Sequence, residues 1–314
     1  MRHKQKHMGV LKMSDCIPCI EGNYVNIYTP EGDIFPGPDT GRLKANTYYP
    51  IWVPNDHHIL WGLDGCWHGF GITHPIISEH NHDGECLLFH VKSEPGNLYE
   101  VLKTGYWKDQ KKVLPFYERP DETSSIHSPF IINHNNMYMM VYGPTPFRYA
   151  VSNDLYHWES KGNLFSDPLA SGRDPMILKH NGLFYFIYCS NQYSVEARIS
   201  DDFLNWKPPV TVFQGEIKKH PESPVLVYRN GIYYLFWCLW DQASPEGNRD
   251  IYPSRTYVYA SKDPLHFKAG PITVLEAHAP EIIQDETGEW YITSAEKPCR
   301  GISIARLVWK EGKL

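Results

Sequence analysis

The sequence predicts an all-β protein built from five copies of one structural repeat. Two observations indicate this fold class: one phrase recurs at a spacing of roughly 40–50 residues, and the 3.6-residue periodicity of amphipathic helices is almost absent. Each copy runs from a Pro or His through an apolar stretch and a turn to an aromatic-rich stretch. The copies read DHHILWGLDGCWHGFGI from Asp56, SPFIINHNNMYMMVYG from Ser128, DPMILKHNGLFYFIYCS from Asp174, SPVLVYRNGIYYLFWC from Ser223 and APEIIQDETGEWYITSA from Ala279.

The turn inside each copy marks a β-hairpin. Asn-Asn or Asn-Gly separates the two runs in the second, third and fourth copies, and Asn-Gly favours a hairpin because both positions tolerate positive φ. A second phrase, a strand with a polar turn and an aromatic residue, follows three copies and ends at Ser160, Pro209 and Gly270. The two phrases together make four strands, which is one blade of a β-propeller. The predicted fold is a single five-bladed β-propeller with four-stranded antiparallel blades.

The repeat also predicts the domain organisation. No linker divides the 314 residues, and closed repeat folds of this length form one domain. Residues 1–45 precede the first copy and are predicted to form an irregular N-terminal arm packed on the propeller, with a possible strand at NYVNIYT. Residues 46–314 form the predicted propeller, which would carry any active site, and ISIARLVW (302–309) is expected to be a strand of its fifth blade.

Composition and charge narrow the function classes. The net charge of −6 argues against nucleic-acid binding, since phosphate contacts require a clustered basic surface. No stretch is long and apolar enough for a transmembrane helix, and the basic N terminus lacks the apolar segment of a signal peptide, so a cytoplasmic location is expected. The seven cysteines lack zinc-finger spacing and are expected to be free thiols. The sequence leaves the oligomeric state open.

Aligning the copies on their Pro, with His57 in that place in the first copy, predicts which residues meet. The first strand of each propeller blade lines the central channel, so equivalent positions surround one axis. One layer then holds Asp56, Ser128, Asp174, Ser223 and Ala279, and the layer before it holds Asn55, His127, Arg173, Glu222 and His278.

Three carboxylates, those of Asp56, Asp174 and Glu222, are therefore expected to converge at the mouth of the channel. Acids that lie close together and partly out of water push one another's pKa values apart, so that one stays protonated while another is ionised. Cleavage of a glycosidic bond needs this division, because one carboxylic acid protonates the leaving oxygen while one carboxylate activates water or attacks carbon. The pattern predicts a glycosidase.

The motifs around these acids resemble those of a known group. PNDHHI, GRDPMI and HPESPVLV, in this order, resemble the motifs of the five-bladed propeller glycoside hydrolases of families 43 and 32. The resemblance implies that Asp56 is the general base or nucleophile, that Asp174 stabilises the transition state and tunes pKa values, and that Glu222 is the general acid. RDP and ESP lean toward family 32, whereas the compact length leans toward family 43. NDHH replaces the NDPNG of family 32, and HSP stands where family 43 often has WAPD.

Five further residues are candidates for substrate binding, with core packing or a buried hydrogen bond as the alternative for each. Under the resemblance, His278 is also a candidate ligand of a central calcium or another cation, although hard cations prefer oxygen. The chemistry itself requires no cofactor. The cluster of His80, His82, Asp83 and Glu85 lacks the spacing of a metal site and is interpreted as a solvated loop. The five substrate-binding candidates are His57, Trp61, His127, Arg173 and His278.

The predicted function is hydrolysis of a terminal furanoside or pentoside, as by an arabinofuranosidase or xylosidase, in small oligosaccharides. One alternative is a family 32-type β-fructofuranosidase with Asp56 as the nucleophile. An alternative of another class is a non-catalytic carbohydrate-binding propeller, since a fold does not dictate a function. Inversion and retention differ in the carboxylate separation, about 6.5–9.5 Å against about 5–5.5 Å, which the sequence leaves open.

Overall fold

A computed structural model of the protein shows five four-stranded antiparallel sheets arranged as the blades of a propeller. It describes residues 16–40, 43–76, 85–104, 107–165, 172–216, 219–241, 254–268, 270–296 and 300–312. The predicted fold class and the four strands per blade are confirmed. Within the described ranges, no helix is both long and apolar enough to cross a bilayer.

The strands follow one another blade by blade. The described chain begins with β1 (Ile17–Tyr28) and a two-stranded ladder of β2 (Asp33–Ile34) and β3 (Tyr48–Tyr49). Blade 1 has β4 (Trp52–Trp61), β5 (Cys66–Pro75), β6 (Leu87–Pro95) and β7 (Lys108–Asp109). Blade 2 has β8 (His127–His134), β9 (Met137–Gly143), β10 (Arg148–Ser152) and β11 (Glu159–Asn163). Blade 3 has β12 (Gly172–His180), β13 (Leu183–Ser190), β14 (Ser194–Ser200) and β15 (Val210–Gln214).

The last two blades complete the ring, and two short helices lie in the insertion of blade 1. Blade 4 has β16 (Lys219–Arg229), β17 (Ile232–Asp241), β18 (Thr256–Ser261) and β19 (Thr273–Leu275). Blade 5 has β20 (Ile282–Gln284), β21 (Trp290–Ala295) and β22 (Ile302–Lys310), with β1 as its fourth strand. The helices, between β6 and β8, are α1 (Leu98–Thr104) and a 3₁₀ turn (Phe116–Glu118).

The N-terminal strand closes the ring. β1 pairs antiparallel with β22, so the first and last strands of the described chain share blade 5. Ile27 of β1 is 1% exposed in a core shared by blades 5 and 1. The predicted boundary at residue 45 is therefore corrected, because residues 17–28 belong to a blade rather than to an irregular arm. The possible strand predicted at NYVNIYT is the second half of β1, whereas residues 21–23, in the middle of β1, are exposed and give no apolar signal.

Aromatic side chains join neighbouring blades and so hold the inner strands around one axis. The middle strands β13 and β17 are almost wholly buried, since each is covered on both faces. Phe147 of blade 2 packs against Phe186 and Tyr188 of blade 3, with ring centroids 5.0 and 5.1 Å apart. Such tilted and edge-on pairs are the geometry that aromatic rings prefer. The aromatic content of 14% therefore serves largely to pack the blades.

Candidate active site

The inner strands share a backbone irregularity at their entrance. In blades 1 to 4 the register with the second strand shifts at the aligned position, which is the mark of a β-bulge. In blades 2 to 5 the aligned residue also has a left-handed backbone, with φ from 43° to 56°. That conformation costs a non-glycine residue about 1–3 kcal/mol and is concentrated at functional sites. These strained residues are Ser128, Asp174, Ser223 and Ala279.

The bulges bring the aligned residues to one pocket on the propeller axis. All five blades line this pocket. Four of the five aligned residues provide a carboxylate or a hydroxyl, and the residue after each is proline or histidine. These four residues form a polar ring in the pocket wall, and the histidine and the prolines that follow them form a less polar part of the wall. The polar ring consists of Asp56, Ser128, Asp174 and Ser223.

Two serines connect the two aspartates of the ring. Ser128 Oγ lies 3.0 Å from Asp56 Oδ2 and 2.9 Å from Asp174 Oδ1. Ser223 Oγ donates to Asp56 Oδ1 at 2.7 Å, and its backbone N–H donates to Asp174 Oδ2 at 3.0 Å. All four carboxylate oxygens thus have a partner within the ring. The sequence predicted both aspartates at this layer but assigned no role to the serines.

Burial and the charge of Asp174 raise the pKa of Asp56 to about 7, against the opposing hydrogen bonds from Ser223 and Ser128. Desolvation disfavours a carboxylate, and a second carboxylate nearby disfavours it further. Asp56 therefore changes protonation state near neutral pH. A group with such a pKa can accept or release a proton during a reaction.

Arg173 links the second aspartate to the third acid. Its Nε lies 3.2 Å from Asp174 Oδ2, and its Nη2 lies 3.5 Å from Glu222 Oε1. Asp174 is 3% exposed, whereas the Glu222 side chain is 13% exposed. The three predicted carboxylates and Arg173 therefore form one connected cluster. Arg173 is placed to orient two acids, in addition to the sugar contact predicted for it.

His127 lies in the same layer as Glu222, and a residue outside the repeat holds it. His127 Nε2 lies 3.1 Å from Glu85 Oε2. Although burial disfavours its charged form, the hydrogen bond to Glu85 and the charges of Glu85, Asp174 and Asp56 raise the pKa of His127. Glu85 is therefore half-buried and paired with His127, and the prediction of a solvated loop is wrong for this residue. His80, His82 and Asp83 lie outside the described residues.

Two consecutive histidines follow Asp56 in blade 1, and the first of them lines the pocket. His57 is buried and its Nε2 lies 2.7 Å from Thr293 Oγ1, and burial with the nearby His58 and His278 lowers the pKa of His57 to about 3. His58 Nδ1 lies 3.3 Å from Glu281 Oε2. Burial raises the pKa of Glu281, which also lines the pocket. His57 is thus neutral and hydrogen-bonded, and no sequence signal pointed to Glu281.

Trp61 is the predicted substrate-binding residue that the structure does not bring to the site. It ends β4, five positions after Asp56, which in a strand is about 16 Å away at about 3.3 Å per residue. There it packs edge-on against Trp67, with ring centroids 5.4 Å apart. The prediction for Trp61 is corrected because the hairpin turn lies at the opposite end of the blade from the acids.

His278 lies beside Glu222 and Cys238, and the three offer ligand atoms that all lie within 4.8 Å of one another. The resemblance makes His278 a candidate calcium ligand, so the donor atoms around it can be compared with those that calcium requires. Calcium takes six to eight oxygen ligands, whereas this group offers one carboxylate, one thiol and one imidazole. The donor set therefore does not fit calcium, and no catalytic step is derived through it.

Comparison with known proteins gives structural matches. A scan against protein-family models and a search of curated proteins gave no match. An exo-1,5-α-L-arabinanase from a bovine ruminal metagenomic library is similar, at 17% identity and a TM-score of 0.60 over 81% of this chain and 92% of that one. A family 43 β-xylosidase/α-arabinofuranosidase from a compost metagenome, in a calcium-free complex with xylotriose, has 13% identity and a TM-score of 0.60, over 82% of this chain and 91% of that one.

A family 32 enzyme shares the fold as well. The β-fructofuranosidase of Bombyx mori is 20% identical with a TM-score of 0.58, over 80% of this chain and 59% of that one, so this chain spans little more than half of it. At such identities the likeness establishes the architecture. The chain has the five-bladed β-propeller fold of glycoside hydrolases of families 43 and 32.

Proposed function

We propose that the protein is a glycoside hydrolase that releases a terminal furanoside or pentoside from small oligosaccharides. The observation that supports this most strongly is the connected cluster of Asp56, Asp174 and Glu222. Its members come from three different blades: Asp56 and Asp174 line one pocket, and Arg173 connects Asp174 to Glu222. The structural neighbours include an arabinanase and a β-xylosidase/α-arabinofuranosidase, which favours a pentose as the sugar.

Each carboxylate has a different role in the proposed reaction. Glu222, whose side chain is more exposed than that of Asp174, donates a proton to the leaving oxygen of the glycosidic bond. Ionised Asp56 removes a proton from the attacking water or attacks the anomeric carbon itself. Asp174 stays beside Arg173 and holds Asp56 through Ser128 and Ser223. Fixed donors and charges of this kind stabilise the charge that develops in the transition state.

We also propose exo action on small oligosaccharides. An exo-1,5-α-L-arabinanase is among the structural neighbours, which favours cleavage at the end of a chain.

A β-fructofuranosidase is the second candidate. The GRDPMI and HPESPVLV motifs and the likeness to the Bombyx mori enzyme favour it. In that reaction Asp56 is the nucleophile, and the substrates are fructosides rather than pentosides. A carbohydrate-binding propeller without activity is the candidate of another class, and it predicts that exchange of an acid changes binding alone.

A substrate screen separates these candidates. Nitrophenyl α-L-arabinofuranoside, β-D-xyloside and β-D-galactofuranoside, together with sucrose, are offered to the wild type and to Glu222→Gln. The exposed Glu286→Gln is the matched control. We expect cleavage of at least one pentoside or furanoside by the wild type and no change in the control. On the methyl glycoside of the sugar that is cleaved, whose leaving group needs protonation, we expect a loss of about 100-fold or more in Glu222→Gln. No cleavage by the wild type, or full activity of Glu222→Gln on that methyl glycoside, contradicts the proposal.

A further inference from the structure

Three donor groups meet between blades 4 and 5 beside the pocket. They are the carboxylate of Glu222, the thiol of Cys238 and the imidazole of His278, whose ligand atoms lie within 4.8 Å of one another. Cys238 Sγ is 4.0 Å from Glu222 Oε2, and both Cys238 and His278 are buried, at 0% and 5% exposure. Two of the three donors are therefore shielded from water on the inner side of the cluster.

Two of these donors lie on paired strands, and the repeat fixes the place of the third. Glu222 of β16 and Cys238 of β17 are directly paired in the antiparallel ladder. His278 occupies in blade 5 the place that Glu222 occupies in blade 4, one residue before the left-handed position. Its backbone N–H is bound to Ser294 Oγ at 3.0 Å. Donors on paired strands keep their spacing better than donors on loops.

The chemistry of the donors selects a class of metal ion. Thiolate, imidazole and carboxylate together are ligands of zinc, at about 2.3, 2.0–2.1 and 2.0–2.2 Å from the ion. A tetrahedral site with these bonds spaces its ligand atoms about 3.4–3.6 Å apart. Side-chain rotations that move the ligand atoms by about 1 Å would bring the three donors to that spacing. Three protein ligands leave the fourth position open to water. Calcium, in contrast, requires many oxygen ligands.

Blade 3 provides an internal comparison. Cys189 of β13 pairs with Arg173 of β12 as Cys238 pairs with Glu222. Both thiols are buried, but the partner of Cys189 is a cation, which repels a metal ion. The two cysteines therefore differ in neighbouring charge and not in their place in the blade.

We propose that Glu222, Cys238 and His278 form a binding site for a thiophilic divalent cation such as Zn²⁺, and that its occupancy inhibits the enzyme. On binding, the S–H bond of Cys238 breaks, a metal–sulfur bond forms, and the proton passes to solvent. The bound ion then occupies the Glu222 carboxylate, which can no longer deliver a proton to the leaving oxygen. The inhibition rests on the proposed function, whereas the binding does not.

A cobalt titration tests the binding. Protein treated with chelator, dialysed and kept reduced with a phosphine is titrated with Co²⁺, and absorption is recorded. We expect one Co²⁺ per chain with a thiolate-to-cobalt charge-transfer band, retained in Cys189→Ser and lost in Cys238→Ser. His278→Gln should raise the dissociation constant for Zn²⁺, measured by calorimetry, by about tenfold or more, and Ca²⁺ should not displace cobalt. Thermal unfolding confirms that each variant is folded.

The outcomes separate the site from its consequence. No charge-transfer band in the wild type, or equal loss in Cys189→Ser and Cys238→Ser, overturns the site. To test the inhibition, the ratio of activity with Zn²⁺ to activity without it is measured on whichever glycoside the wild type cleaves. We expect a chelator-reversible loss in the wild type and in Cys189→Ser, and a ratio near one in Cys238→Ser. Cobalt binding without zinc inhibition overturns the inhibitory role. If no glycoside is cleaved, the proposed function fails while the titration still decides the site.

Discussion

The carboxylates of Asp56 and Asp174 lie on two sides of one hydroxyl group, that of Ser128, at 3.0 and 2.9 Å. A hydroxyl has a single proton, so it can donate to only one of the two carboxylates. The other contact is satisfied when Asp56 itself carries a proton and donates it to Ser128. This arrangement agrees with the pKa of about 7 for Asp56. Near neutral pH, Asp56 therefore exchanges between a protonated form that donates to Ser128 and an ionised form that accepts from it.

The first prediction concerns the pH dependence of activity. If ionised Asp56 is the base or nucleophile, kcat/KM rises with pH and has a midpoint near 7. Asp174→Asn removes the like charge, so the midpoint moves to lower pH. Ser223→Ala removes a hydrogen bond that favours the ionised form, so the midpoint moves to higher pH. Rate profiles over the range from about pH 4 to 9 measure both shifts, with the exposed Asp201→Asn as control. Shifts in the opposite directions contradict the role of Asp56.

The second prediction concerns stability. The pKa of Asp56 is higher in the folded chain than its ordinary value of 3.8, so between about pH 4 and 7 the unfolded chain binds fewer protons. Unfolding free energy therefore falls over this window as pH rises. Asp56→Asn removes the effect and should be more stable than the wild type by on the order of 1–4 kcal/mol at about pH 8, with little difference near pH 4. Urea unfolding at the two pH values checks this, and a pH-independent difference contradicts it.

The third prediction tests the closing strand. Ile27→Ala removes a buried side chain from the core shared by blades 5 and 1 and should cost about 2–4 kcal/mol of unfolding free energy. Val25→Ala in the same strand changes a side chain that is 48% exposed and should stay within about 0.5 kcal/mol of the wild type. Equal effects in urea unfolding would mean that β1 does not pack as a blade strand.

The fourth prediction separates Trp61 from Arg173. Trp61→Ala changes the far end of blade 1, so kcat and KM on the cleaved glycoside should stay at the wild-type values. Arg173→Lys keeps the charge but loses the planar fork that reaches both Asp174 and Glu222, and it should lower kcat about tenfold or more. Steady-state kinetics of the two variants decide this, and a rise in KM for Trp61→Ala alone would return that residue to the site.

The repeat made much of the fold predictable. Asn-Gly turns and apolar runs reveal hairpins locally, and their period reveals the blades. The distance of a residue from the Pro of its copy then indicates the layer that the residue occupies. The amino-acid pattern alone is therefore enough to group Asp56 and Asp174 in one layer and Glu222 in the next. A repeat carries this information because equivalent residues occupy equivalent backbone positions.

Other features depend on contacts that the repeat does not encode. β1 joins a strand nearly 300 residues away, and its exposed centre lacks an apolar pattern. Glu85 reaches His127 from the insertion of blade 1. Trp61 belongs to the repeat, but it lies at the end of the hairpin opposite the acids. The serine bridge needs the bulge and its left-handed backbone, which propensities do not reveal.

The leaving-group dependence of the Glu222→Gln variant tests the central claim most directly. A good leaving group needs no protonation, whereas a poor one does. We expect the kcat/KM of Glu222→Gln to be close to the wild-type value for a dinitrophenyl glycoside, and at least about 100-fold below it for a methyl glycoside of the same sugar. Asp56→Asn should be slow on both. An equal loss on both substrates in Glu222→Gln would contradict the assignment of Glu222 as the general acid.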